Sequence, residues 1–396
     1  MRKMTLFFLF FGLTVLGGCS SSESDAPPLL SNEEGPSPLL QIHQVYLENY
    51  LYAPEELPTS LSGFSGPSDY VNFVNNQRPE NDRFSSYLEP EAFASFNEVI
   101  FQERALIGIQ FTPHEGIISE SNPLLMESIR VFSRAYYDGL QAGDRLLEVD
   151  GIPISGMTFE QVRELLPTFE NEPVILKILR GASEFFFTTS SENSVELVLD
   201  PVQGIGYISL RTFSDDSLTF ILSDIQALQS QGVTRLILDV RENGGGALIG
   251  VRNILNYFIP TEGLLLYSLE DRNAVRESQF TGSFTSRESV FDETNMVILA
   301  DAGSLSASEI LANALKFYQE ATFIGTQTGG KGVAQSVFGL SDGSGTIVVS
   351  RKIFGPNNDF YHLQGIAPDF QSNASTPPTL GNDSQLQDAI DFLTAP

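Results

Sequence analysis

The sequence predicts an α/β core with an inserted β-rich module and a small helical region before it, and three observations predict this. Arg235 to Val240 is an almost wholly apolar strand, as expected where helices cover both faces of a parallel sheet. Amphipathic helical patterns flank it, with Leu218, Phe220, Ile221, Ile225 and Leu228 before and Leu248, Val251, Ile254 and Leu255 after. From about residue 103 to 191 the pattern changes to short strands around a single helix.

The first residues stand apart from this body. Arg2 and Lys3 precede an apolar run, Met4 to Leu16, too short to span a bilayer and suited to the hydrophobic part of a signal peptide. The run ends in Leu16-Gly17-Gly18-Cys19, which resembles the lipobox of bacterial lipoproteins. That resemblance implies lipidation of Cys19 and a chain held to a membrane of the cell envelope. Ser20 follows where some bacteria use Asp for inner-membrane retention, which tilts the expectation toward the outer membrane, facing periplasm or exterior. Cys19 is the only cysteine, so neither an internal disulfide nor a cysteine metal cluster is available. Residues 20–38, rich in Ser, Glu and Pro, read as a flexible tether. With a net charge of −28 the chain repels nucleic acid and anionic lipid surfaces, which excludes nucleic acid as a partner and leaves membrane attachment to the lipid.

Residues 39–102 read as mainly helical, with Ile42, Tyr46 and Tyr50 on one stripe and a helix starting near Pro90. In the module at 103–191, Ile107 to Phe111 opens a strand, Arg145 to Val149 is another, Asp150-Gly151 is a turn, and Thr158 caps a helix bearing Phe159, Val162, Leu165 and Leu166. Val174 to Leu179 is a further strand. The unit resembles a bacterial PDZ domain. Leu106-Ile107-Gly108-Ile109 fits that family's carboxylate-binding loop, and Gly139-Leu140, Ala142-Gly143-Asp144 and Val149-Asp150-Gly151 fit its most recognisable stretch. The resemblance implies that Ile107, Gly108 and Ile109 hold a peptide C-terminus while the peptide adds a strand to the sheet edge.

The core is expected over 192–375, with 376–396 as a tail. After the strand at 235–240 comes Arg241-Glu242-Asn243-Gly244-Gly245-Gly246, whose glycines either let backbone N–H groups approach a ligand or make a tight connection. A second apolar strand, Met296 to Ala300, leads through a small-residue turn into a helix bearing Ile310, Leu311, Ala314, Leu315 and Tyr318. This places Ser306 at a strand-to-helix turn, where unpaired N–H groups favour a developing oxyanion. Ser304, Ser306 and Ser308 equally suit helix caps.

A nucleophilic serine needs a base. The histidines are His43, His114 and His362, and the first two lie outside the core, so a Ser-His-Asp triad has to recruit His362, which no supporting motif surrounds. Lys331, flanked by glycines after the Phe323-Ile324-Gly325 strand end, is the alternative base if burial lowers its pKa; a solvated lysine in a glycine loop is the plainer alternative. Gly325 to Lys331 also matches the first seven positions of a phosphate-binding loop, but Gly332 replaces the hydroxyl residue that holds magnesium and a strand pattern follows where a helix is required.

From Asp82 to Asp369 the chain resembles the C-terminal processing peptidases. Gly303 to Glu309 matches that family's G-S-x-S-A-S-E, Lys331 lies in its G-K-G segment 25 residues after Ser306, Gln335 matches its lysine-orienting glutamine, and Val240 to Gly246 matches its glycine loop. Asp82 to Phe96 and Gly365-Ile366-Ala367-Pro368-Asp369 resemble further segments, with Arg83 in place of the usual proline. The resemblance implies a crotonase/ClpP-like core, a Ser306–Lys331 dyad supported by Gln335, and an oxyanion hole from the N–H groups of Gly245 and Ala307. It further implies protein or peptide substrates with free C-termini and needs no metal or organic cofactor. The alternative to a lipid-anchored endopeptidase is a non-catalytic PDZ lipoprotein that binds protein C-termini.

Overall fold

The computed structural model describes residues 36–52, 57–77, 82–101, 107–112, 114, 116–129, 132–167, 172–191, 194–200, 202–282, 291, 294–373 and 383–395. The chain divides into two units, Met1–Pro36 and Ser37–Pro396, and of the first only Pro36 is described. The signal segment, Cys19 and almost all of the tether therefore lie outside the described residues. Among the described residues no helix is long and apolar enough to cross a membrane.

Helix α1 (Pro38–Asn49) begins where Ser37 accepts a hydrogen bond from the Leu40 N–H and proline takes the first helical position, so the residue expected to end the tether is already helical. Then come α2 (Pro67–Gln77), β1 (Ser86–Leu88) and α3 (Pro90–Phe101). The Ile42, Tyr46 and Tyr50 stripe is buried against Tyr70, Val71 and Val74, and the same cluster includes Val348 from the core. The region is thus packed onto the body that follows it.

The inserted module comprises β2 (Ile109–Phe111), β3 (Met126–Ile129), α4 (Arg134–Tyr137), β4 (Arg145–Val149), β5 (Ile152–Pro153), α5 (Phe159–Arg163), β6 (Glu172–Arg180) and β7 (Ser183–Ser191). Its antiparallel sheet runs β5-β4-β6-β7, with β2 and β3 paired separately. Thr158 and Gln161 form a capping box on α5. That helix stops at Arg163, short of Leu166, and Pro167 disfavours helical backbone at Leu166.

The core holds β8 (Ser194–Asp200), β9 (Ile205–Leu210), α6 (Ser217–Ser230), β10 (Arg235–Asp239), α7 (Leu248–Phe258), β11 (Leu265–Glu270), β12 (Arg276–Phe280), β13 (Met296–Ala300), α8 (Ala307–Phe317), β14 (Thr322–Gly325), β15 (Val333–Gly339), β16 (Gly345–Phe354), β17 (Phe370–Gln371) and α9 (Ser384–Thr394). One sheet runs β17-β14-β13-β10-β9-β8, parallel except for β8. Alternate side chains divide its faces: Leu236, Leu238, Met296 and Ile298 join the cluster under α6, α7 and α8, whereas Ile237, Val297 and Leu299 meet Ala389 and Leu393 of α9. Helix α9 carries the core beyond the boundary expected at 375, because its apolar face closes the second side of the sheet. A second, antiparallel sheet runs β1-β16-β11-β12 with β15 added on β16, so the N-terminal region supplies one of its strands.

Candidate active site

Strands β10, β13 and β14 are adjacent and parallel, so the loops that leave their C-terminal ends emerge along one edge of the sheet, where open α/β sheets bind ligands. The β10 loop begins with Arg241, whose guanidinium is buried and bonded to Asp239, Asp383 and Gln385. Asn243 then ties this loop to the β13 turn: its carbonyl accepts from the Leu305 N–H at 3.0 Å and from Ser308 Oγ at 2.8 Å. Ser304 Oγ donates to the Val240 carbonyl at 2.7 Å. Ser304 and Ser308, candidates for helix caps, thus fasten the two loops together. Gly245 abuts the serine so closely that a Cβ there would lie 2.8 Å from Ser306 Cβ, and its own φ is +102°. No larger residue fits.

Ser306 precedes α8 with φ +55° and ψ −113°, a region costly for a residue with a side chain, at about 1–3 kcal/mol. The strain is held by a neighbour that the motif contains but sequence reasoning left without a role. Glu309 is fully buried, and its Oε2 accepts from the N–H of Ser306 at 2.9 Å and the N–H of Lys331 at 2.7 Å. Its Oε1 accepts from the Gly330 N–H and from Thr328 Oγ1, both at 2.7 Å. One carboxylate therefore gathers both the serine and the lysine main chains. Burial pushes the Glu309 pKa up, and these hydrogen bonds pull against it. The same bonds occupy the loop that resembled a phosphate cradle, and strand β15 follows it.

Lys331 Nζ donates to Gln335 Oε1 at 2.6 Å, and Gln335 Nε2 donates to the Phe84 carbonyl at 2.6 Å. The β15–β16 register shifts between Ala334 and Gln335, where β16 carries one extra residue, Ser350. The amine also lies 5.1 Å from the Phe84 ring centre. Burial pulls the Lys331 pKa down to about 8, against the opposing charge of Glu309. Among the described residues no hydrogen bond joins Lys331 Nζ to Ser306 Oγ.

Of the two N–H groups expected to face an oxyanion, that of Ala307, at the first position of α8, has no hydrogen-bond partner among the described residues. That of Gly245 donates to Asn243 Oδ1 at 2.9 Å, so it is engaged within its own loop. In the inserted module Ile107 is buried, Gly108 packs against Ser133 and Ile109 opens β2, which pairs only with β3 among the described strands. His362 is buried between the rings of Phe84 and Phe360. Among the described residues no group of three or more His, Cys, Asp or Glu is placed to hold a metal ion.

A serine at a helix N-terminus with an open N–H beside it, and a lysine whose main chain is fixed to the same carboxylate as the serine's and whose desolvated amine is held by Gln335, make an arrangement suited to acyl transfer. Glu309, Asn243 and Phe84 are the members that sequence reasoning missed. The signal that could have found Glu309 is its place three residues after a strand-to-helix serine, the capping-box spacing, but nothing local reveals that its partners lie at 328–331.

Residues 204–372 match peptidase family S41, and residues 127–180 match the PDZ domain. The chain is 29% identical over 422 residues to the carboxyl-terminal-processing protease of Synechocystis sp., covering 100% of this chain and 95% of that protein. It is 28% identical over 319 residues to the chloroplastic C-terminal processing peptidase of Tetradesmus obliquus, covering 76% of this chain and 67% of that protein. In fold it is similar to the photosystem II D1 C-terminal processing protease, with a TM-score of 0.50 at 23% identity over 85% of this chain and 92% of that one.

Proposed function

We propose, for a chain that belongs to the C-terminal processing peptidase family of serine peptidases, that Ser306 is the nucleophile and Lys331 its general base. The observation that carries this reading is Glu309 Oε2, which accepts from the main-chain N–H of both residues and so brings together two positions 25 residues apart. Ser306 Oγ attacks the substrate's peptide carbonyl as Lys331 Nζ takes the hydroxyl proton. The amine then gives that proton to the leaving nitrogen, and water hydrolyses the acyl-enzyme by the same exchange in reverse. Gln335 accepts one amine N–H, which leaves the nitrogen lone pair for the serine. A base must be neutral to act, and a pKa near 8 supplies a working fraction at neutral pH.

The Ala307 N–H is one oxyanion donor, and such a donor typically contributes ~3 kcal/mol of barrier lowering. The Gly245 N–H becomes the second when its bond to Asn243 Oδ1 is shared or opens on substrate binding. The PDZ domain, which we delimit at 103–191, holds a substrate C-terminus at Ile107, Gly108 and Ile109 and takes the peptide as an added strand on the edge of β2 that pairs with no other described strand. The parallel sheet with helices on both faces supports a crotonase/ClpP-like core behind a helical N-terminal region. At the other end, Cys19 carries lipid and holds the peptidase to a membrane of the cell envelope, with the outer membrane favoured.

Incubation with an unfolded protein tests the reading. Wild type is expected to cleave it, Ser306→Ala and Lys331→Ala are expected not to, and equal cleavage by Ser306→Ala would sink the assignment. For the anchor, growth with labelled fatty acid is expected to mark the wild type and not Cys19→Ser; label on both would refute it.

A further inference from the structure

A residue outside both domains matched to families closes the site around the lysine. Phe84 belongs to the segment that leads from the N-terminal helices into β1, and its position is fixed at several points. Its N–H and that of Ser85 donate to Asp82 Oδ1 at 3.1 and 2.8 Å, and Ser85 Oγ accepts from the Val349 N–H at 2.9 Å. Asn75 Nδ2 donates to the Ser85 carbonyl at 2.8 Å, and Ser86 then pairs with Ile347 of β16. The segment is anchored to β16, the strand that carries the extra residue.

From this anchored position Phe84 makes two different contacts. Its carbonyl accepts from Gln335 Nε2. A carbonyl can only accept, so it decides which way the Gln335 amide faces: nitrogen toward Phe84, oxygen toward Lys331. With the amide turned over, Lys331 would meet two N–H donors and its lone pair would be drawn to Gln335 and away from Ser306. The Phe84 ring lies over the amine, its centre 5.1 Å from Lys331 Nζ.

We infer that Phe84 is a positioning residue of the peptidase, its main chain setting the orientation of Gln335 and its ring walling the Lys331 amine from solvent. The inference rests on the proposed role of Lys331 as base. The charged and titratable groups around this corner are Glu309 from α8, Arg83 on the Phe84 ring at 5.2 Å, Asp82 beneath the turn, and Tyr361 and His362 from the stretch before β17. The ring also attracts an ammonium, which favours the charged form, so its two effects oppose each other. Burial is the larger cause of the lowered Lys331 pKa, so exclusion of water is the effect expected to dominate.

The test is the pH dependence of kcat/KM for peptide cleavage by the full chain in detergent, with thermal unfolding recorded for each variant. Opening the site in Phe84→Ala is expected to raise the midpoint of the rise with pH by about one unit, lowering kcat/KM about tenfold at pH 7 and restoring most of it at high pH. Phe84→Leu, which keeps an apolar wall, is expected to stay near the wild-type midpoint. A purely structural role would instead lower the rate equally at every pH. That outcome, or a folded Phe84→Ala with the wild-type midpoint, overturns the inference; if Phe84→Ala does not fold, Phe84→Val is judged by the same criterion. Lys331→Ala separates the two levels. If it cleaves like wild type, the base assignment fails; if it is inactive while Phe84→Ala is unshifted, only the role of Phe84 fails.

Discussion

Replacing Glu309 by glutamine changes one atom of a side chain and disturbs four hydrogen bonds. The carboxylate receives Ser306 N–H, Lys331 N–H, Gly330 N–H and Thr328 Oγ1, two donors on each oxygen. An amide has one accepting oxygen. If it keeps the Ser306 and Lys331 pair, its NH2 faces Thr328 and Gly330. The Thr328 oxygen, which already accepts from the Ile366 N–H, can accept again, but the Gly330 N–H is left buried against another donor. A charge-assisted hydrogen bond contributes ~1.5–3 kcal/mol and an orphaned buried donor costs ~1–3 kcal/mol, so Glu309→Gln should lose about 3 kcal/mol of stability. A second effect runs the other way for the lysine. The Glu309 charge raises the Lys331 pKa, so its removal lowers that pKa and moves the acid limb of kcat/KM to lower pH, even as the maximum rate falls with the loosened turn. Denaturant unfolding and a pH profile on the same preparation check both. Unfolding free energy within about 0.5 kcal/mol of wild type, or a limb that moves to higher pH, would refute the role assigned to this carboxylate.

Three further substitutions probe other parts of the site. With its pKa lowered from 10.5 to about 8, Lys331 sheds a proton on folding, so it costs stability increasingly as pH falls from 10.5 through 8 and most below 8. Lys331→Met should therefore abolish cleavage yet raise stability at pH 7 by up to roughly 3 kcal/mol, with the gain gone above about pH 10.5; denaturation at pH 7 and pH 10.5 compares the two. Gly245→Ala forces a methyl group against Ser306 Cβ at 2.8 Å and should reduce kcat/KM by about 100-fold or more, since ångström displacements of reacting groups cost that much; a rate within threefold of wild type would refute it. Asp383→Ala strips Arg241 of a buried partner and should cost about 3 kcal/mol in denaturant unfolding while lowering cleavage through the attached glycine loop.

Much of the core was legible because periodicity reports burial. Strands β10 and β13 fall where apolar runs placed them, and α7 and α8 where the helical stripes did. Turn chemistry made Ser306 and Lys331 candidates, and the resemblance to the C-terminal processing peptidases paired them. What stayed hidden depends on contacts between segments far apart in sequence. Helix α9 could not be placed because its Ala389 and Leu393 have meaning only against the rear face of the sheet. Strand β1 is three residues long and is defined by its pairing with β16, not by its own pattern. The Gly245 N–H looked available because the sequence shows three glycines, and its bond to Asn243 Oδ1 is a matter of side-chain rotamer.

The position of Glu309 raises a physical question that the pieces together answer. A base that must be neutral is set beside a buried carboxylate in a chain of net charge −28, and both influences favour the ammonium. The lysine pKa nevertheless falls, because desolvation acts on the amine directly while the carboxylate already receives four donors, whose partial positive charges offset its field. Glu309 can thus organise the site while the lysine pKa stays below its usual value. The proposed role of Lys331 as base demands that water stay out of the amine's surroundings, because burial is the cause of its lowered pKa. The N-terminal segment at 82–85, fastened to β16 and bonded to Gln335, is the element we infer to supply a wall against it. On the proposed mechanism, catalytic competence therefore depends on a region that lies outside the peptidase sequence match and more than two hundred residues before Ser306.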